Sequence, residues 1–346
     1  MTLDMGQHAL NSINNELERI FDEEIEKARG IQATYERLWQ NLKTIGMAGG
    51  KRLRPRLLLE IAGRSDDATL KVAVAHELLH MSTLIHDDII DNDDVRHGKK
   101  NMVGLYKDIY AEAEGRVDVG HFARSAALVA GDLLLSYSHK LITESGFEAE
   151  LTGDLQGLLY RSVFEVIGGQ LMDTEAPFVQ EYYDPLTVYK YKTASYSFVG
   201  PILSGAAIAG LSVATTKALE DYANALGIAF QLRDDDLGVF GDSSVTGKSA
   251  SQDLLEGKKT KLIELFTEHA KEEEQVEFMQ YFGDQTASKQ SIEHMREVIE
   301  SSGTRAAHEN LIQEYLQKAL RAVAEFDEPL QSWLVSFAHQ NADRKL

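Results

Sequence analysis

Two acidic clusters, each at the polar edge of an apolar segment, constrain this chain more than any other feature. The first lies in Leu84-Ile85-His86-Asp87-Asp88-Ile89-Ile90-Asp91-Asn92-Asp93-Asp94-Val95-Arg96-His97-Gly98, which sets carboxylates against apolar residues and closes them with a cation. If the segment is helical, Asp87 and Asp91 project from one face, with Asp88 about 100° round. Carboxylates one turn apart repel in low dielectric unless a cation lies between them. Hard Asp oxygens suit Mg²⁺ held by one or two carboxylates together with substrate phosphates. For a lone motif, a solvated acidic face is the competing reading in a chain of net charge −20. An EF-hand loop starting at Asp91 fails, because Arg96 falls where the sixth-position glycine is required. The second cluster, Phe230-Gln231-Leu232-Arg233-Asp234-Asp235-Asp236-Leu237-Gly238, follows 147 positions on (234 minus 87). Two such clusters can face each other across a helical bundle, as carboxylate metal sites do.

The chain has 346 residues, 43% hydrophobic and 26% charged, enough for a large core. Its acidity argues against a nucleic-acid surface, so an anionic substrate must be met by metal and by local cations. With no Cys there is no disulfide frame, thiol nucleophile or zinc-thiolate site, which suits the cytoplasm. Met1 to Glu18 lacks a basic start followed by an apolar run, so no signal peptide is expected. No apolar run reaches the roughly 18 residues of a membrane span. Only five Pro occur, and apolar residues recur at helical spacing, as in Leu10, Ile13, Leu17, Ile20 and Phe21, or Leu151, Leu155, Leu158, Leu159 and Val163. The fold class expected is all-α, ten or more helices joined by short turns in a single domain over 1–346.

Several further stretches carry cations or small residues. Gly49-Gly50 precedes Lys51-Arg52-Leu53-Arg54-Pro55-Arg56, where backbone N–H groups and side chains can meet a phosphate at a helix start. A basic turn balancing nearby acids is the alternative. His80 lies two turns before Asp87 on nearly the same face. A core histidine is its ordinary reading, and the converging charges favour a phosphate contact. Gly98 to Gly131 reads as a long surface excursion, either a lid or an inert insertion. In Gly168-Gly169-Gln170, small residues let helices approach closely. Lys192 with Thr193, in Tyr189-Lys190-Tyr191-Lys192-Thr193-Ala194-Ser195, can clamp a diphosphate, against a snorkelling surface lysine. Beyond the second cluster, Gly247-Lys248-Ser249 and Gly257-Lys258-Lys259-Thr260 form a segment spaced with cations.

Taken in order, GGKRLRP, LIHDDIID, GGQ, YKYKT, FQLRDD and GKSASQDLLEGKKT resemble the trans-type isoprenyl diphosphate synthases, the polyprenyl synthetase family, from about Gly49 to Thr260. The resemblance implies a bundle of long antiparallel helices around a deep central cavity, usually a homodimer. It implies that Asp87, Asp88 and Asp91 hold two Mg²⁺ and that Asp234, with Asp235, holds a third. Arg96, Lys192, Thr193, Gln231, Lys248 and Lys258 match the family's contacts to the allylic diphosphate. Gly50, Lys51, Arg54 and His80 match its isopentenyl-diphosphate site. The chemistry implied is ionisation of an allylic C–O bond, with the departing diphosphate stabilised by metal and by Lys and Arg, then attack by the alkene of isopentenyl diphosphate.

Two departures stand out. The second arginine usual after the first motif is His97 here, a weaker and pH-dependent contact. The last carboxylate of the second motif is replaced by Gly238, with Asp242 four positions on. Product length in the family is set by residues just before the first motif, here the small Ser82 and Thr83. Leu79, one turn lower, becomes the candidate floor, and the expected product is geranylgeranyl diphosphate. A farnesyl or longer-chain synthase is the alternative. A terpene cyclase would need no Lys51, Arg54 and His80 set. A non-catalytic prenyl-diphosphate-binding subunit would typically have lost aspartates or the Lys-Thr pair, and a purely structural helical protein would not respond to Mg²⁺ and diphosphate.

Overall fold

The computed structural model describes residues 2–96, 98–179, 184–241 and 252–344, so His97, Asp242 and Lys248 lie outside the described residues. The described chain is helical apart from a two-stranded hairpin and one isolated bridge, as the apolar periodicity requires. No described helix is long and apolar enough to cross a membrane. Two compact units emerge, Met1–Arg161 with Gly200–Ser212, and Ser162–Val199 with Val213–Leu346.

In the first unit, α1 (Thr2–Arg29) and α2 (Ala33–Gly46) pair along an apolar seam. There Phe21 meets Trp39 with ring centroids 6.4 Å apart. The short α3 (Leu53–Ala62) buries Leu57, Leu58 and Ile61. The central element is α4 (Asp67–Ile90), whose start is fixed by Asp66 accepting from the Thr69 N–H at 3.2 Å. Every residue from Val72 to Leu79 is buried, so the middle of α4 is enclosed on all sides and only its two ends reach water. The C-terminal end carries the first acidic cluster. The hairpin of β1 (Val95–Arg96) and β2 (Lys99–Lys100) follows, antiparallel, with Arg96 opposite Lys99.

The expected excursion from Gly98 to Gly131 is not one. It contains α5 (Met102–Ile109), capped by Asn101 and anchored by buried Met102, Val103 and Tyr106, and α6 (Val119–Thr143) already starts at Val119. Only the connection between them is an exposed surface stretch: a 3₁₀ turn at Ala111–Ala113 and the residues up to Asp118, where Glu112, Glu114, Arg116 and Asp118 lie. Against α6, α4 comes so close that Ser82 Oγ donates to the Gly131 carbonyl at 2.8 Å. The helix α7 (Ala149–Glu175) belongs to this unit as far as Arg161 and to the second from Ser162, and α9 (Gly200–Ala209) completes the first, with Ser204 Oγ 3.0 Å from His76 Nε2.

The second unit is ordered around α10 (Val213–Phe240). Beside it runs a short α8 (Pro185–Val188) that continues into a π-helical stretch, Tyr189–Val199. The later helices are α11 (Gln252–Glu256), α12 (Lys261–His269), α13 (Glu272–Met279), α14 (Lys289–Ser301), α15 (Thr304–Ala322) and α16 (Leu330–Ala342). A satellite core of Val239, Leu254, Leu262, Phe266, Phe278, Met295 and Ile299 fixes α11 to α14 beneath the end of α10. Tyr222 in α10 donates to the Leu334 carbonyl of α16 at 2.7 Å.

Candidate active site

The first acidic cluster sits in the last turn of α4, where the helix dipole presents partial negative charge to an anion. The second lies a turn further from the end of its helix, α10, with three carboxylates in succession. Each cluster has cations close by, supplied from its own unit.

In the first unit the Arg96 guanidinium bridges two carboxylates, Asp88 Oδ1 at 2.7 Å and Asp87 Oδ2 at 3.0 Å. The hairpin aims this side chain. Burial pushes the Asp88 carboxyl up, while Arg96 and Asn101 oppose that shift. Burial also disfavours the Arg96 cation, yet the two aspartates more than restore it and its pKa rises. Asp91 is the exposed C-cap of α4, its N–H bonded to the Asp87 carbonyl at 2.8 Å. Among the described residues no three carboxylate or imidazole groups gather on one point. Mg²⁺ is held by one or two carboxylates and completes its shell with phosphates and water. The bridging guanidinium shows that a positive charge fits between Asp87 and Asp88.

The basic turn divides in two. Arg52 is buried and structural, donating to Glu77 Oε1 at 2.9 Å, the Gly46 carbonyl at 2.6 Å and Asn14 Oδ1 at 2.9 Å. Gly49 and Gly50, with φ of +111° and +133°, lead to an exposed Lys51. Arg54 is buried in the first turn of α3, and His80 is half-buried in α4. Of the proposed chain-length residues, Leu79 and Ser82 are buried. Thr83 is half-buried, with its hydroxyl donating to the His80 carbonyl at 2.8 Å.

In the second unit the three consecutive aspartates have three different surroundings. Asp236 is buried and ion-paired to Arg305 at 3.0 Å and Arg233 at 3.5 Å. Asp234 is partly exposed, with Oδ1 2.8 Å from Arg344. Asp235, named from sequence as a companion metal ligand, stands apart. It is 3% exposed, its Oδ2 closely bonded by the Tyr189 hydroxyl and its Oδ1 accepting from Gln231 Nε2 at 3.3 Å. Burial holds its pKa well above the usual carboxylate range, against the two hydrogen bonds and with help from the neighbouring Asp253 charge. An oxygen pair so enclosed is ill-placed for a hydrated cation.

Of the Lys192-Thr193 pair, Thr193 meets Gln231 and Lys192 turns to α7. Thr193 Oγ1 donates to Gln231 Oε1 at 2.8 Å, and Lys192 pairs closely with Asp173 of α7. The glycine that permits this is Gly169, where a Cβ would lie 2.2 Å from the Lys192 backbone nitrogen. Its neighbour Gly168 faces open space. Lys258 lies 2.9 Å from Glu256 and 3.7 Å from Asp253.

Sequence reasoning missed Asp253 and Tyr189. A Cβ at Gly238 would stand 2.2 Å from Asp253 Oδ2, so this carboxylate occupies the volume that a side chain at 238 would need. The missing last acid of the motif was the available signal. Nothing in the sequence separated Tyr189 from a packing aromatic.

Compared with known proteins, residues 35–299 match the family model described as Polyprenyl synthetase. The geranylgeranyl diphosphate synthase of Sulfolobus acidocaldarius is 30% identical over 300 residues, 84% of either chain. A short chain isoprenyl diphosphate synthase of Methanocaldococcus jannaschii is 30% identical over 274 residues, 77% of either chain. Among solved structures, the geranylgeranyl pyrophosphate synthase of Corynebacterium glutamicum, complexed with isoprenyl diphosphate and magnesium, superposes with a TM-score of 0.89. It is 29% identical, with 96% of this chain and 98% of that one covered. The class so defined is an all-α prenyltransferase that elongates prenyl chains. Within that class, the chain belongs to the polyprenyl synthetase family.

Proposed function

We propose that this enzyme condenses isopentenyl diphosphate with an allylic diphosphate of five to fifteen carbons, and that its main product is geranylgeranyl diphosphate. The observation that carries the reading is the Arg96 bridge between Asp87 and Asp88 at the end of α4, a carboxylate pair arranged around positive charge. The names of the Sulfolobus and Corynebacterium relatives support the product.

In the first unit, Asp87, Asp88 and Asp91 would hold two Mg²⁺, and in the second Asp234 would hold a third. Bound there, the ions supply the charge that stabilises a departing diphosphate. Arg96, Lys192, Thr193, Gln231, Lys248 and Lys258 bind allylic diphosphate oxygens. The charged side chains among them stabilise the negative charge that grows there as the C–O bond breaks, which is where fixed donors help most. Gly50, Lys51, Arg54, His80 and His97 hold isopentenyl diphosphate, leaving its alkene to attack. No protein nucleophile takes part. Leu79, Ser82 and Thr83 set the length of the chain. The two units act as one synthetase domain, in a cytoplasmic homodimer.

The test is to incubate the purified protein with Mg²⁺, labelled isopentenyl diphosphate and allylic primers of five, ten or fifteen carbons, and to size the products. Twenty-carbon product, abolished by a chelator that leaves the helical circular dichroism unchanged, is expected. Hydrocarbon formed from the allylic substrate alone, or no chain growth with any primer, refutes it.

A further inference from the structure

Four side chains on two adjacent elements close a hydrogen-bonded frame beside the Lys192-Thr193 pair. Tyr189 and Thr193 lie four residues apart in the π-helical stretch, and Gln231 and Asp235 lie four apart on α10. Thr193 Oγ1 donates to Gln231 Oε1 at 2.8 Å, Gln231 Nε2 donates to Asp235 Oδ1 at 3.3 Å, and the Tyr189 hydroxyl donates to Asp235 Oδ2 at close range. A third element joins at the same oxygen, because the Lys261 N–H that opens α12 donates to Tyr189 Oη at 2.8 Å. Tyr189 and Asp235 are both buried.

In this frame the Gln231 amide presents Nε2 to Asp235 and Oε1 to the Thr193 hydroxyl. With Asp235 Oδ2 already accepting from Tyr189, its Oδ1 is the oxygen left to accept from Gln231. Gln231 Nε2 has a second hydrogen, and the frame fixes its direction. Without the Tyr189 hydroxyl, Asp235 would lose the bond that anchors Oδ2, and the Lys261 N–H would lose its acceptor.

We propose that Tyr189 is a positioning residue for the allylic diphosphate, acting through Asp235 to fix Gln231 and Thr193, and that Asp235 serves this frame and not a metal ion. The inference rests on the reading of Thr193 and Gln231 as diphosphate contacts. It assigns Asp235 a role that leaves Mg²⁺ to its neighbour Asp234. Asp235→Asn keeps the contacts of the frame at the cost of the Tyr189 proton's bond to this residue, since the new amide nitrogen donates to Tyr189 Oη, which also accepts from the Lys261 N–H, while the amide oxygen still accepts from Gln231. The same change removes the charge that a metal ligand needs.

The test compares wild type with Tyr189→Phe, Asp235→Asn, Asp235→Ala and Asp234→Asn. Three quantities are read: the steady-state KM values, the Mg²⁺ half-saturation of the rate, and direct calorimetric binding of a non-ionising allylic thiolodiphosphate in the presence of Mg²⁺. Tyr189→Phe should raise the allylic KM and weaken analogue binding roughly tenfold, the upper end of what one lost hydrogen bond is worth. The KM for isopentenyl diphosphate and the Mg²⁺ half-saturation should stay within about twofold. Asp235→Asn should bind the analogue much more tightly than Asp235→Ala, with Mg²⁺ half-saturation near wild type, whereas Asp234→Asn should weaken the Mg²⁺ response. Unchanged analogue binding in Tyr189→Phe, or a loss of Mg²⁺ response in Asp235→Asn equal to that in Asp234→Asn, overturns the inference. If Tyr189→Phe does not fold, the two Asp235 variants decide alone. Wild-type protein that binds no allylic analogue overturns instead the functional reading on which the inference stands.

Discussion

Replacing Gly169 by alanine is the most demanding test of how the Lys192-Thr193 pair is held. A Cβ at this position would stand 2.2 Å from the Lys192 nitrogen and 2.6 Å from its Cα, both backbone atoms that cannot swing aside. Ordinary contact begins near 3.4 Å, so α7 and the π-helical stretch must separate by about 1.2 Å. Overpacking of this kind costs about 1–3 kcal/mol, against about 1 kcal/mol gained from the better helix propensity of alanine. A displacement near 1 Å at a substrate-positioning group is worth about a hundredfold in rate. Gly168→Ala is the internal control. Its added methyl meets nothing within 4 Å, so only the propensity gain remains. The expected result is kcat/KM for the allylic substrate reduced about a hundredfold in Gly169→Ala and unchanged in Gly168→Ala. Melting should shift down in the first and slightly up in the second. Equal behaviour of the two variants, in rate and in melting, would refute the claim that close approach at Gly169 sets Lys192 in place.

Three further outcomes follow from other contacts. His308 and His76 are held neutral by burial, with pKa pushed down to about 4 and about 3. The unfolded chain takes up their protons below about pH 6.5, so stability falls as pH drops from there toward those values. At pH 5 the loss is about 2 kcal/mol per histidine. Unfolding free energies from urea titrations at pH 7 and 5 should therefore converge by about that amount in His308→Gln, and an unchanged pH slope would contradict it. Arg96→Gln strips buried Asp88 of its cation and should cost about 3 kcal/mol, with Mg²⁺ raising the melting temperature more in the variant than in wild type. A smaller Mg²⁺ effect in the variant would argue against a shared cation position. Ser82→Phe should shorten the product to farnesyl diphosphate and lower stability, because the ring displaces the bond to the Gly131 carbonyl. Leu79→Ala should lengthen the product, and chromatography showing neither change removes both residues from the floor.

What the sequence made legible was whatever depends on chemical type at short spacing. The period of Leu151, Leu155, Leu158 and Leu159 announced a helix. Asp87, Asp88 and Arg96 announced charge that had to be compensated, and Gly168-Gly169 announced close approach without saying which glycine mattered. What stayed hidden depends on which long-range neighbour a side chain meets. Arg52 and Arg54 look alike in GGKRLRP and both are buried, yet it is Arg52 that Glu77, met 25 positions later in the chain, ties down as an ion pair. Three adjacent aspartates cannot be ranked by composition. Arg305, Tyr189 and Arg344, all remote in sequence, give Asp236, Asp235 and Asp234 their separate surroundings. The supposed excursion after Gly98 failed for a related reason, since Met102, Val103 and Tyr106 are too few to show a helical period but enough to anchor one.

The packing of Asp253 against Gly238 limits how this chain could change. One void holds one acid, and it is already taken. Restoring an aspartate at 238 would evict the carboxylate at 253, and shortening 253 first would leave the end of α10 short of an acid. The route between the two arrangements therefore runs through a doubly filled or an empty intermediate, so a lone substitution at either position is a step into a worse protein, and only a paired exchange crosses over.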